Sequence, residues 1–365
     1  MVKVLYVTNL PAPYRIDFFT LLAQRVELTV LYERKSAQNR DNKWVAQNTE
    51  RSFREIYLDG KTFGEENTVS LGIVRHLRHN SYDEIVLSNY NSPAVMLAIS
   101  YLKRKKRPFW LSCDGMLPKP ASGRIKEGLK RRLISSASGW ISTGKVTSQE
   151  LIRYGADPAR IRVCPFSSIH ESEVLPAPPD RDAAKRRLGL ADETVLLYVG
   201  QFIHRKGLDL LIPAFETLCA AQKDRKLRLL LVGGKPEQLQ DLGIGRLPDR
   251  VRCVPFLTKQ ELSAYYAAAD LFVLPTREDI WGLVVNEAMA FGLPVVTTDR
   301  CGAGLEMIEE GRNGFLIPTG DKAELARAIE RGLLFRDPEQ SLSVARHYTV
   351  EAMTNATARL FDCAV

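Results

Sequence analysis

The chain has 365 residues, 45% hydrophobic and 26% charged, proportions that exclude a disordered, collagenous or coiled-coil protein. At roughly 100 to 200 residues per domain the length implies about two domains, each able to bury its own core, and excludes a single small stapled module. The net charge of +8 is concentrated in one place: residues 101–135 hold 11 basic and two acidic residues, so the remainder is close to neutral.

The chain opens with MVKVLYVTNL, a β-branched run without the apolar core and small-residue cleavage site of a secretory signal. It predicts a first β-strand. The loop behind it, TNLPAPYRIDFF, puts Tyr14 and Arg15 just past a strand end. VELTVLYE, EIVLS, PFWLSC, GWIST and IRVCPF follow as further short strands, separated by the amphipathic stretches IDFFTLLAQ, TVSLGIVRHLRH, SPAVMLAISYLK and TSQELIRYG. Thr147 or Ser148 is the expected N-cap of the last. Such β-α-β alternation implies a parallel sheet. WLSCDGM closes one of these strands and sets Asp114 at its carboxyl end, where the side chain serves either a bound hydroxyl or an Asx turn.

Residues 167–182, SSIHESEVLPAPPDRD, contain three prolines and no apolar periodicity, which marks a connector. The expected division is an N-terminal domain at 1–168, a linker at 169–192, a C-terminal domain at 193–345 and a final helix at 346–365 packing back towards the first domain. Alternation resumes with TVLLYVG, LRLLLVG, RVRCVPF, LFVLP, PVVTTD and GFLIP, and the chain is helical after Asp321. The fold class is therefore α/β, two doubly wound Rossmann-like domains facing a cleft, with ligands expected at the carboxyl ends of the strands.

Two segments there combine strand, glycine and charge. In LFVLPTREDIWGLVVNEAMAFGLPVVTTD a helix opens at Gly282, and its first N–H groups, at Leu283 and Val284, suit an anion. Asp279 precedes that terminus and Glu287 lies two turns in. Carboxylates repel phosphate, so both are expected to accept hydrogen bonds from ligand hydroxyls. In LLYVGQFIHRKGLDLL, Gly200 and Gln201 leave a strand and Arg205 and Lys206 bring positive charge, the electrostatic help a departing phosphate needs. Gly233 allows close backbone approach after another strand, and Pro255 and Phe256 follow RVRCV. Neither a G-x-x-x-x-G-K-[ST] nor a G-x-G-x-x-G motif occurs, which argues against a kinase or a dehydrogenase.

The Asp279 to Glu287 segment resembles the E-x7-E region of the family 4 glycosyltransferases, retaining enzymes of GT-B architecture, and the likeness extends over most of the C-terminal half. It implies that Glu287 holds the ribose of a nucleoside-diphosphate sugar, Asp279 the donor sugar, and Lys206 with Arg205 the diphosphate. It also implies that Phe256 lies near the base. The first acid here is Asp rather than Glu, and the family's G-R-x-x-x-x-K-G has Gln201 at the Arg position. The P-x-P-Y-R element resembles the acceptor loop of a bacterial polysaccharide-biosynthesis branch, implying that Tyr14 and Arg15 bind acceptor, although a salt bridge at a helix start fits Arg15 equally. Where many members carry a His near the reacting carbon, this chain has Asp114.

The implied function is retaining transfer of a sugar to a glycan or lipid-linked acceptor in cell-surface polysaccharide biosynthesis. A nucleotide-sugar epimerase on the same fold is the alternative, and a nucleic-acid-binding protein a remote one, since the basic stretch has few interleaved aromatics. His76, His79, His170, His204 and His347 form no ligand-spaced cluster, so neither metal nor other cofactor is expected. Cys113, Cys164, Cys219, Cys253, Cys301 and Cys363 are too scattered for a disulfide framework and point to a reducing compartment. The expected location is the cytoplasm, with residues 103–107 and 123–134 resting on the anionic inner face of the cytoplasmic membrane.

Overall fold

The computed structural model describes residues 1–35, 51–63, 67–120, 123–335 and 337–362, with the backbone alone at 61–63, 67–69 and 362. Contacts divide the chain into one unit of Met1–Ser167 with Thr349–Val365 and a second of Ser168–Tyr348.

The first unit contains β1 (Lys3–Thr8), α1 (Pro13–Leu22), β2 (Glu27–Tyr32), β3 (Arg54–Tyr57), the pair β4 (Lys61–Phe63) and β5 (Asn67–Val69), α2 (Gly72–His79), β6 (Glu84–Ser88), α3 (Pro93–Arg104), β7 (Trp110–Cys113), α4 (Arg124–Ile134), β8 (Gly139–Ser142), α5 (Lys145–Arg153) and β9 (Ile161–Val163). Its sheet has the order β3-β2-β1-β6-β7-β8-β9 with every pairing parallel. Covered on both faces, such strands become continuous apolar runs. Alternate residues of β1 feed the two layers: Leu5 and Val7 join Ile73, Leu77, Val95 and Leu102 of α2 and α3, while Tyr6 meets Phe18 and Phe19 of α1 at 6.0 and 5.0 Å between ring centroids. The edge strand β3 escapes a hydropathy reading because its residues are exposed or only half-buried.

Two local expectations change. The N-cap of α5 is Gly144, with no side-chain cap, because Thr147 lies inside the helix. Its hydroxyl accepts the Met116 N–H at 3.1 Å and bonds Thr143 at 2.9 Å, while Ser148 Oγ donates to Gly144 O at 2.8 Å. On α4, Leu133 and Ile134 are buried and the Lys130 ammonium turns inward to 3.8 Å from the Tyr154 ring centroid. The solvent face is therefore narrower than the sequence pattern: Ile125 and Leu129 are 88% and 47% exposed, flanked by exposed Arg124, Lys126, Arg131 and Arg132. Lys103 of α3 donates to Ser136 Oγ at 3.2 Å, which brings the two basic segments onto one surface.

The second unit contains α6 (Arg181–Arg187), β10 (Thr194–Val199), α7 (Leu208–Ala221), β11 (Leu227–Val232), β12 (Val251–Val254), α8 (Lys259–Ala268), β13 (Leu271–Leu274), α9 (Leu283–Ala290), β14 (Val295–Thr298), α10 (Gly302–Met307), β15 (Gly314–Ile317), α11 (Lys322–Gly332) and α12 (Glu339–Ala345). The strand order is β12-β11-β10-β13-β14-β15, all parallel, and it reverses direction at β10. The last helix, α13 (Val350–Asp362), packs on α1 of the first unit. Among the described residues no helix is long and apolar enough to cross a membrane, and the five described cysteines are free thiols.

Residues 169–192, expected as a connector, are built into the second unit. Leu175 N–H donates to Ala290 O at 3.0 Å, the Arg181 guanidinium reaches the carbonyls of Ala269 and Gly292, and Lys185 pairs with Asp270 at 2.8 Å. The prolines set an extended path and the charges pin it. Asp270 also accepts the Val195 N–H at 2.7 Å, anchoring the start of β10. Asp270→Ala strands the buried Lys185 ammonium and that amide, so chemical denaturation should show a loss of about 3–5 kcal/mol for the second unit; a loss within error of zero would show the pair to be idle.

Candidate active site

The loops leaving β10 and β13 are neighbours because the strand order reverses at β10, and together with α9 they carry most of the sequence-predicted residues. Main-chain and side-chain bonds join them. Arg277 N–H donates to Arg205 O at 2.7 Å, Thr276 Oγ1 donates to the same carbonyl at 3.1 Å, and the Arg205 guanidinium donates to Glu278 O at 2.6 Å. Arg277 grips the first turn of α7 through two bonds to the Asp209 carboxylate at 2.8 and 2.6 Å, and the turn before that helix through a third to His204 O at 2.7 Å. Across this junction the Lys206 ammonium pairs with Asp279, both side chains largely shielded. The two residues placed on different ligand groups by the sequence are thus partners of each other.

Asp279 is held on its other side by the loop after β14. Its N–H donates to Arg300 O at 2.8 Å and its carbonyl accepts from Gly302 at 3.0 Å. Gly282, at φ 97°, begins α9 without a side-chain cap. A Cβ there would lie 2.9 Å from the Cys301 sulfur and 3.5 Å from the Asp279 carboxylate, so only glycine lets the helix start beside Asp279. Leu283 and Val284, half-buried, form the first turn. An uncapped helix start beside an ammonium is an arrangement suited to an anion.

Glu287 projects from the second turn of α9 and receives hydrogen bonds from Tyr266 OH at 2.9 Å and Ser168 Oγ at 3.2 Å. Burial pushes its carboxyl above the ordinary carboxylate range, against the opposing effects of the Tyr266 bond and the Lys259 charge. Tyr266 is fully packed and stacks on Phe291 at 5.5 Å. Neither Tyr266 nor Ser168 was legible as a site residue. Helix periodicity marks Tyr266 only as core, and Ser168 lies in the proline-rich stretch.

Around these groups, Tyr198 OH donates to Gln201 O at 2.8 Å and so shapes the turn through Gly200 and Gln201. Gly233 approaches that turn so closely that a Cβ would sit 2.6 Å from Gly200 O. Phe256 is half-buried and Arg205 exposed. In the first unit Arg15 is buried, with its guanidinium within 5.3 to 5.9 Å of the ring centroids of Tyr6, Tyr14, Phe18 and Phe166, and it pairs with Asp114. Burial opposes the charge of Arg15, but Asp114 outweighs it and the pKa stays raised. Of the two readings of Arg15, the one present is a salt bridge, reaching Asp114 rather than a group on its own helix. Asp114 is the more exposed partner, at 38% for its side chain against 4%.

A cavity of about 970 Å³ beside β3 and α2, lined by Tyr57, Asp59, Arg75 and His76 among others, contains none of the predicted site residues. Among the described residues no group of three or more His, Cys, Asp or Glu side chains is placed to hold a metal.

Residues 193–334, the segment carrying this geometry, match the family described as Glycosyl transferases group 1. That segment belongs to the family 4 glycosyltransferases. A protein named D-inositol 3-phosphate glycosyltransferase from Nocardioides sp. is 32% identical over 238 residues, covering 60% of this chain and 50% of that one. One of the same name from Mycobacteroides abscessus is 32% identical over 246 residues, with coverages of 64% and 52%. The chain thus spans about half the length of these curated relatives. Anabaena HepE in complex with UDP superposes with a TM-score of 0.75 at 19% identity, over 99% of this chain and 100% of that one, and sucrose-phosphate synthase from Thermosynechococcus elongatus with 0.71 at 20%, over 100% and 99%. At these identities the likeness establishes the fold, GT-B.

The Lys206 and Asp279 pair should behave as a unit. Lys206→Ala and Asp279→Ala each strand a shielded charge, so the double variant should lose less stability than the sum of the singles by about 0.5–3 kcal/mol in a denaturant double-mutant cycle; strict additivity would mean the pair does not form. For Glu287, the raised pKa means that the folded state favours the neutral carboxyl, which supports folding below the ordinary carboxylate range and is lost as pH rises through the raised value. Glu287→Gln should therefore melt higher than the parent protein at pH 8, with an advantage that shrinks towards pH 5 in calorimetric scans. An advantage growing towards acid would contradict the assigned direction.

Proposed function

We propose that this protein is a retaining glycosyltransferase that uses a nucleoside-diphosphate sugar. The observation that carries the reading is the Lys206 and Asp279 pair beside the uncapped start of α9, with Glu287 one turn further along the same helix. A diphosphate entering there competes with Asp279 for Lys206. The ammonium then offsets the charge that grows on the leaving group, with Arg205 at the same loop, while Asp279 is released to accept hydroxyls of the donor sugar. Glu287 accepts the ribose hydroxyls, and Gly200, Gln201, Gly233, Phe256, Leu283 and Val284 complete the donor site. No covalent nucleophile is assigned, so attack comes from the face the leaving group departs, with the diphosphate helping to deprotonate the acceptor. Asp114, Arg15 and Tyr14 serve the acceptor from the first unit, Arg15 acting through its grip on Asp114.

The acceptor is a glycan or lipid-linked glycan in cell-surface polysaccharide biosynthesis. The names of the relatives support a second reading, a small phosphorylated polyol. A thermal-shift series with UDP-, GDP-, ADP- and dTDP-sugars tests the donor assignment, and NMR of the product tests the retained anomeric configuration. Transfer should persist in EDTA. A protein whose melting point no nucleotide raises, or a product with inverted configuration, would sink the proposal. Lys206→Ala should lower kcat about 100-fold or more, beyond its effect on donor affinity.

The surface of α4 and the end of α3 supports docking on an anionic membrane: exposed Ile125 and Leu129 form a short apolar ridge between cations. With so little apolar area the charges must carry the affinity, at about 1 kcal/mol per basic residue near the surface. Sedimentation with phosphatidylglycerol vesicles should show binding that weakens with salt and disappears when Arg124, Lys126, Arg131 and Arg132 become Glu. Equal binding to neutral vesicles would exclude it.

A further inference from the structure

The first unit holds a buried acid that the donor chemistry does not use. Glu33 follows β2 and is only 3% exposed, yet neither carboxylate oxygen has a hydrogen-bond partner of normal geometry among the described residues. Its backbone is fixed: Glu33 N–H donates to Thr8 O at 3.0 Å and Arg34 N–H to Asn9 O at 2.9 Å, so the chain continues beside the carboxyl end of β1. The polar groups that ease its charge are the hydroxyl of Ser92 and the guanidinium of Arg34. Ser92 caps α3, where its Oγ accepts the Val95 N–H at 3.1 Å, and it stands at the end of the loop leaving β6.

That neighbour locates the carboxyl. In the sheet order, β1 lies between β2 and β6, and Ser92 stands four residues beyond the end of β6. A side chain that starts behind β2 and is eased by Ser92 faces the carboxyl end of β1, which lies between them. This is where the strand order of the first sheet reverses, the crevice in which doubly wound sheets take their ligands. A buried polar group without a partner costs about 1–3 kcal/mol, and more if charged, and such groups in native proteins call for an explanation.

We propose that Glu33 is a recognition group for a polyhydroxylated acceptor, a sugar or cyclitol, whose hydroxyl donates to its carboxyl over the end of β1. This rests on the glycosyltransferase reading, in which the first unit receives the acceptor. A neutral donor fits better than a cation. Arg34 already places positive charge nearby, no group of three or more His, Cys, Asp or Glu side chains placed to hold a metal includes Glu33 among the described residues, and burial pushes the carboxyl above its usual range, towards a form that both donates and accepts hydrogen bonds. A hydroxyl does the same.

The test uses the full chain and saturation-transfer NMR with myo-inositol, D-inositol 3-phosphate, D-glucose and D-galactose, each with and without UDP. Glu33→Leu removes the unpaired acid and fills its volume, and Glu33→Gln keeps its shape should Leu not be accommodated. The expected result is that at least one polyol binds the parent protein, that affinity falls about tenfold or more in Glu33→Leu and less in Glu33→Gln, and that at least one variant melts higher than the parent at pH 8. UDP affinity should be the same in all three. The inference is overturned if no polyol binds the parent, if binding survives Glu33→Leu unchanged, or if both variants melt lower, since Glu33 would then be satisfying a structural partner. Failure of UDP to bind any of the proteins would count against the donor site alone.

Discussion

The ion pair between Lys206 and Asp279 depends on one topological fact, the reversal of strand order beside β10. Because β11 and β13 flank β10 on opposite sides, their connecting helices pass over opposite faces, and the loops at the carboxyl ends separate around a crevice. Two shielded charges repay their desolvation only when their geometry is held rigid. The rigidity comes from the junction of the two loops, where Arg277 binds Asp209 and His204 while Arg205 O accepts two further hydrogen bonds. Gly207 makes the approach possible, since a Cβ there would lie 2.0 Å from Pro275 O.

Both units set a carboxyl in a setting that raises its pKa beyond the carboxyl end of a parallel strand, Glu287 in one and Glu33 in the other. Their surroundings differ in a way that matters. Glu287 already accepts two hydroxyl donors, so its orientation is set before any ligand arrives, whereas Glu33 has nearby polar groups and, among the described residues, no bond of normal geometry. Stability is supplied elsewhere, by the apolar layers around β1 and β10. Sites that depart from the best local choice are where function is to be sought.

The basic surface shows how packing divides a charged segment. Of the cations on α4, Lys130 covers the Tyr154 ring, and burial lowers its pKa against the pull of Glu150 and Glu127. Arg124, Lys126, Arg131 and Arg132 stay in solvent. One lysine thus serves the core with its stem and ring contact, and the neighbouring cations are left to act at long range.

Read alone, the sequence determined the α/β class, twelve of the strands and the loops that carry Lys206, Asp279 and Glu287, because parallel strands buried on both faces write themselves as apolar runs and helix starts are marked by Gly282 and its polar loop. It also marked the basic stretch as a single patch. It could not show that Lys206 and Asp279 face each other, nor that Arg15 reaches Asp114 across 99 residues. Nor could it show that residues 169–192 are bound into the second unit by Arg181 and Lys185. Helical and strand periods report only which side of an element faces inward. Which loops meet, which caps form, and whether a buried acid such as Glu33 finds a partner are fixed by strand order and crossing helices, so those were decided by the tertiary structure alone.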